Sequence, residues 1–305
     1  MWLKCPRVLN ASRKRRTKMK DVGLFQNSTT QSITARQTLR RASPLALVLA
    51  ILSLSAALAG GPTGWGGGSC REVTAFPANL IDPGVYCLSF KYIDFPLASG
   101  ALITISASNV VFDLNGATLD GTPKGSAFSW GIRSYGHSNI TVRNGTIRGF
   151  NYGISLAAPL GYVNTTVRPS HSLSVENVRL IENRTAGIEV VGYDSVIRGN
   201  YIAHTGGSPD PRLSGHAWGM IASGDGLRVI DNDVTHTHVN TAYSGGVTTG
   251  IFLGGGLDMV VVSNRITEAN FGIYSGGLNW GKYRDNTTVN VGVPYTGGTA
   301  IGNNN

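Results

Sequence analysis

The sequence predicts an all-β chain wound as a parallel solenoid, and three observations carry that prediction. The first is a recurring dipeptide. It appears as Gly131-Ile132, Gly153-Ile154, Gly187-Ile188, Gly219-Met220, Gly250-Ile251 and Gly272-Ile273, at steps of 22, 34, 32, 31 and 22 residues, a period in the range of repeat architectures. The second is a phrase that follows each return. A β-branched run meets an Asn, and an apolar residue stands two positions on, as in Val229-Ile-Asp-Asn232-Asp-Val234, Val261-Val-Ser-Asn264-Arg-Ile266 and Ile197-Arg-Gly-Asn200-Tyr-Ile202. The third is that these runs are short and bounded by Gly and Asn, which marks strands and turns rather than helices. Each repeat is then one coil of a parallel β-helix. About eight coils are expected through Val293, a stack of roughly 40 Å at about 4.8 Å between strands.

The elements follow in chain order. Of 26 Lys and Arg against 17 Asp and Glu, a formal charge of +9, residues 1–43 hold 11 of the bases and a single acid, Asp21. The body is left with 15 bases against 16 acids, so it lacks the basic stripe that a nucleic-acid-binding domain carries. The leader reads as an export signal. A basic stretch ends at Arg40-Arg41, an apolar run spans Leu45 to Leu58, and Ala57-Leu-Ala59 supplies small residues for cleavage after Ala59. The run is shorter than the roughly 20 residues of a membrane span. An uncleaved anchor is the alternative, and membrane contact is expected only through such a leader. The expected organisation is therefore a leader over 1–59, a Gly-rich linker over 60–69, and a β-helix domain over 70–305 that forms a secreted or periplasmic monomer.

Residues 70–100 read as the cap that covers the apolar end of a solenoid. Cys70 and Cys87 are the cysteines that remain beyond the leader, and in an oxidising compartment they can pair and pin the cap; two unpaired buried thiols are the alternative. Strand runs then begin at Ala101-Leu-Ile-Thr-Ile105 and Val110-Val-Phe-Asp-Leu114. Asn200, Asn232 and Asn264 fall at one register, where stacked amides can hydrogen-bond up the helix and serve the turn backbone.

Insertions at Ala203–Trp218 and Thr235–Thr249 lengthen two coils by about ten residues over the shortest. If the coils keep register, Glu182, His204, His236 and Glu268 form one column, each two residues beyond an aligned apolar position. Such a column suits proton transfer or a divalent metal, or it is a set of solvated turn residues. His238 and His216 lie in the insertions beside it. The first insertion also offers Asp210, Arg212 and Trp218, a guanidinium for a sugar carboxylate and a ring for a sugar face. The second offers Tyr243. No cofactor fingerprint stands out; Gly254-Gly-Gly256 lacks the helix and Lys of a phosphate loop.

The stretch from Cys70 to Gly121, with Pro83-Gly-Val-Tyr-Cys-Leu88 and Val111-Phe-Asp-Leu-Asn-Gly116, followed by the Asn and Gly-Ile coils, resembles exported bacterial proteins with a right-handed parallel β-helix region, the pectin-lyase-like group. The resemblance implies that fold, with a polysaccharide groove along the edge carrying the insertions. It does not extend to the group's known catalytic patterns. At the polygalacturonase positions stand Tyr152, Ala186 and Trp218 without a paired acid, Gly192-Tyr-Asp-Ser195 departs from the Asp-Pro-His-Asp of mannuronan epimerases, and the pectate-lyase Trp-Ile-Asp-His is absent. The expected function is binding or modification of an acidic polysaccharide. If the protein is an enzyme, a lyase-type elimination is expected. His236 or His238 would serve as base with His204 beside them in the catalytic group, Glu268 would orient the histidine and Arg212 would neutralise the uronate. Asp210, His216, Trp218 and Tyr243 would contact substrate. A non-catalytic binding or structural protein, and periplasmic metal handling at the His column, are the alternatives.

Overall fold

The computed structural model describes residues 70–95, 99–122, 128–157, 170–208, 215–239, 246–277 and 281–305. All of them lie in the unit Gly66–Asn305. The expected leader with its Ala59 cleavage point, the Gly-rich linker, and Asp210, Arg212 and Tyr243 of the insertions lie outside the described residues.

Every regular element among the described residues is a β-strand, and every pairing between strands is parallel. The strands stack in three sheets, and the chain visits each sheet once per coil. The first sheet holds the Gly-Ile strands: Ser129–Tyr135, Tyr152–Ala157, Ala186–Val191, Ala217–Ser223 and Thr248–Gly255, with the later part of Arg265–Ser275. The second sheet includes Val110–Asp113, the start of Leu173–Ile181, Val196–Arg198, Arg228–Ile230 and Val260–Val262. The third includes Thr118–Asp120, Tyr201–Ala203, Asp233–Thr235 and the start of Arg265–Ser275. The architecture is thus the all-β parallel β-helix that the repeats predict. Residues expected as cap already contribute strands to the stack: Gly84–Leu88 pairs with Val110–Asp113, and Tyr92–Asp94 with Thr118–Asp120. Cys70 and Cys87 are bonded, with Cα atoms 5.6 Å apart. The bond ties the residue before strand Arg71–Val73 to strand Gly84–Leu88, on which that strand stacks.

The interior is a column of branched aliphatics from all three sheets. Ile132, Ile154, Ile188, Met220, Ile251 and Ile273 point inward from the first, Val175, Ile197, Val229 and Val261 from the second, and Leu180, Ile202, Val234 and Ile266 from the third, all at most 1% exposed. Each contributes about 1.5–3 kcal/mol of apolar burial. The recurring glycine is explained at the same corner. A Cβ on Gly219 would sit 2.3 Å from Val234 Cγ1 and 2.6 Å from the Gly250 carbonyl oxygen, and one on Gly250 would sit 2.4 Å from Ile266 Cγ2. Glycine there lets the third-sheet side chain fill the corner beneath the next coil.

The Asn register is a hydrogen-bonded ladder. Asn200 Nδ2 donates to Asn232 Oδ1 at 2.9 Å, Asn232 to Asn264 at 2.9 Å, Asn264 to Asn286 at 3.0 Å and Asn286 to Asn304 at 3.2 Å. Each of these carbonyl oxygens also accepts the backbone N–H of the asparagine one coil earlier. Buried turn backbone is thereby satisfied by side chains.

Candidate functional site

The third sheet sets the first candidate. Leu180 pairs with Ile202, Ile202 with Val234 and Val234 with Ile266. Two residues on, Glu182, His204, His236 and Glu268 therefore align in one column, where the chain leaves the third sheet. All four have φ between 54° and 56°, a left-handed conformation uncommon for side chains other than Gly, Asn, Asp and His. The same register puts Gly149 (φ 77°) before the column and Asn290 (φ 55°) after it. The position is a tight turn that glycine and asparagine take at its ends; histidine is tolerated there, and the glutamates occupy it against steric preference.

The side chains form two separate groupings. Glu182 accepts from Arg148 Nη2 at 2.6 Å, and Arg148 Nε lies 3.6 Å from Asp120, so this carboxylate is paired with a guanidinium. The His204 and His236 rings lie 4.7 Å apart at 32°. His236 Nε2 is 2.9 Å from Glu268 Oε2, and its Nδ1 is 2.7 Å from Thr235 Oγ1, which itself accepts from Thr267 Oγ1 at 2.6 Å. Both ring nitrogens of His236 are therefore engaged. The His236 and Glu268 side chains are each 46% exposed, where water screens their attraction. His238 lies one coil from Gly206 through a parallel bridge, and with Glu182, Arg184 and His204 it lines a concavity of about 460 Å³. Among the described residues no three His, Cys, Asp or Glu side chains converge as metal ligands.

The outer face of the first sheet is the second candidate. One outward row runs Trp130, Tyr152, Ala186, Trp218, Thr249, Phe271; a parallel row runs Arg133, Ser155, Glu189, Ile221, Phe252, Tyr274. Trp130 and Tyr152 stack, with centroids 6.0 Å apart at 17°. The Arg133 guanidinium covers Trp130 at 4.4 Å. Ser155 Oγ donates to Glu189 Oε2 at 2.5 Å. Burial pushes the Glu189 carboxyl above the usual carboxylate range, while the Ser155 hydrogen bond and the Arg133 charge pull it down less strongly. Burial, with a smaller contribution from the Glu189 charge, also raises the Tyr152 phenol. Glu189 is the only carboxylate on the described first-sheet strands.

The structure divides the sequence-predicted residues between these places. His204, His236 and Glu268 share the turn column, with His238 beside it. His216 and Trp218 belong to the first-sheet face instead, stacked at 5.8 Å and 22°, and they line a different concavity from that of His204 and His238. The reading of the sequence overlooked Glu189, Ser155, Arg133 and the aromatics Trp130, Phe252, Phe271 and Tyr274. The signal was present: the residue directly after each Gly-Ile faces outward, and reading it at every repeat recovers the second row in full.

A model described as a right-handed β-helix region matches residues 130–305. No curated protein matches the chain. Among solved structures the chain is similar to the A-module of the mannuronan C-5 epimerase AlgE4 of Azotobacter vinelandii. The identity is 12%, 85% of this chain and 92% of that chain are covered, and the TM-score is 0.37.

Proposed function

The chain belongs to the right-handed β-helix family, and we propose that it binds a linear acidic polysaccharide along the outer face of its first sheet and acts on it by proton transfer at Glu189. One observation carries the reading. A partly buried carboxyl, hydrogen-bonded to Ser155, stands in a row between Arg133 and a wall of rings, with the Trp130–Tyr152 stack on one side and Trp218 on the other. Rows advance about 4.8 Å per coil, so Tyr152 and Trp218 stand roughly 10 Å apart, a spacing that suits sugars laid along the helix axis. Aromatic faces take the apolar faces of sugar rings, and Arg133 supplies the cation for a uronate.

The raised pKa fits this task. Burial that raises its proton affinity makes Glu189 a stronger base than a free carboxylate. It takes the proton from the carbon beside the sugar carboxylate as the C–C double bond forms and the adjacent C–O bond breaks, and it passes that proton to the departing oxygen. The Arg133 guanidinium offsets the charge on the sugar carboxylate. Elimination is favoured over hydrolysis because hydrolysis uses two carboxylates roughly 5–9.5 Å apart, and the described face carries one. Export to the cell exterior or periplasm belongs to the same proposal, supported by the leader.

The test is to incubate purified protein with uronate-containing and neutral polysaccharides and follow unsaturated ends by ultraviolet absorbance and new reducing ends chemically. Unsaturated product that disappears in Glu189→Gln and persists in His236→Ala supports the groove. Loss in His236→Ala with retention in Glu189→Gln moves the chemistry to the turn column. Binding without any product reduces the reading to recognition alone.

A further inference from the structure

The outer face of the first sheet changes character partway along. In the second row Arg133, Ser155 and Glu189 give way at once to Ile221, Phe252 and Tyr274; in the first row Thr249 and Phe271 follow Trp218. Among the described residues this second half supplies few polar partners. What it supplies is a concavity of about 350 Å³ walled by Trp218, Phe252, Phe271 and Tyr274, with His216 and Thr249 as its main polar groups. Phe252 and Tyr274 stack at 5.7 Å and 18°, and Phe271 meets Tyr274 edge-on at 5.3 Å and 77°. Each of these rings is only partly buried, so each keeps surface for a ligand.

We infer that this half of the face binds an aromatic acyl substituent carried as an ester on the saccharide, continuous with the sugar held in the polar half. The inference rests on the groove reading for the attached sugar, and on the rings alone for the substituent. A flat ring entering among stacked and edge-on rings gains offset-stacked and T-shaped contacts that an aliphatic group cannot make. The His216 ring, stacked on Trp218 at the margin, is the polar group placed to meet an ester oxygen. A bare uronate in the same place would set its carboxylate against rings, with the cation on the other half of the sheet. The row spacing makes the two halves registers of one ligand, because Glu189 and Ile221 are direct neighbours across adjacent coils.

Three probes test it, followed by tryptophan fluorescence and by calorimetry: methyl cinnamate alone, methyl cyclohexanecarboxylate, and a uronate tetrasaccharide with and without a cinnamoyl ester. Methyl cinnamate is expected to bind saturably, and the ester is expected to tighten the tetrasaccharide by roughly tenfold. Phe252→Leu, which keeps bulk and fold but removes a ring wall, should erase that gain while leaving the plain tetrasaccharide unchanged. Phe252→Ala repeats the test with the melting temperature as a check on folding. Equal binding of cinnamate and cyclohexanecarboxylate, or equal affinity of the two tetrasaccharides, overturns the inference. Saturable cinnamate binding with no tetrasaccharide binding leaves the aryl pocket standing and removes the saccharide groove instead.

Discussion

Asn232→Ala tests whether the amide ladder holds the coils in register. The side chain is 2% exposed. Its Nδ2 lies 3.0 Å from the carbonyls of Ile197 and Ile230 and 2.9 Å from Asn264 Oδ1, and its Oδ1 accepts from the backbone and side-chain nitrogens of Asn200 at 3.0 and 2.9 Å. Alanine removes both ends. It leaves at least the Asn200 N–H and the Ile197 carbonyl buried without this partner, and each such group costs about 1–3 kcal/mol. The expected loss is about 4 kcal/mol. For a domain of this size 1 kcal/mol lowers the melting temperature by about 2–4 °C, so thermal denaturation followed by circular dichroism should show a fall of roughly 10 °C. Asn232→Asp should be worse near neutral pH, because an acceptor then faces three acceptors, and it should recover in part on acidification as the carboxyl gains a proton. Arg228→Ala, exposed on the adjacent strand, should stay within about 0.5 kcal/mol. A fall of under about 2 °C for Asn232→Ala would refute the claim that buried backbone depends on these amides.

Gly219→Ala places a methyl against Val234 Cγ1 and the Gly250 carbonyl oxygen; overpacking should cost about 1–3 kcal/mol or more, and adding Val234→Ala should not restore the melting temperature, because the backbone oxygen cannot yield. Glu189 gives a pH signature. Its folded pKa is raised, so the folded state holds a proton that the unfolded chain releases, and stability should fall as pH climbs from the ordinary glutamate value of about 4.3 towards the raised one. The difference in melting temperature between wild type and Glu189→Gln should therefore change over that window, and a constant difference would count against a desolvated carboxyl. Cys87→Ser should cost about 3 kcal/mol, since the bond spans 17 residues; equal melting curves with and without reductant would show that the cap does not depend on it.

The fold was legible because each structural device leaves a short-range mark. Gly-Ile recurs because the corner behind each first-sheet strand has no room for a Cβ, and Asn recurs because the ladder needs an amide at every coil. Register was legible for the same reason: the aligned apolar residues pair as spaced, so the column from Glu182 to Glu268 could be written down before any coordinates. What the column does with its side chains was not legible. Arg148, whose guanidinium pairs with Glu182, sits 34 residues earlier. The first-sheet face was missed for another reason. Its members carry no motif, since Arg133, Ser155 and Glu189 differ in type and share only their position after Gly-Ile. Their relation arises from stacking coils, so it appears when the repeats are laid on one another and not when any one of them is read alone.

The two candidate centres differ most in what water leaves to them. In the turn column His236 and Glu268 meet at 2.9 Å but are each nearly half exposed, so their attraction is screened and a change in either alters little beyond itself. On the first sheet the half-buried Glu189 accepts from Ser155, and burial raises its carboxyl despite that hydrogen bond and a nearby guanidinium that oppose the shift. Desolvation outweighs two favourable partners there, so charge on this carboxyl is costly. The left-handed turns of the column have a sufficient structural account, since Gly149 and Asn290 occupy the same position at its ends. A partly buried glutamate on an outward sheet position has no such account within the fold, for the neighbouring coils place Ser155 and Ile221 there. Glu189 is therefore the stronger candidate of the two.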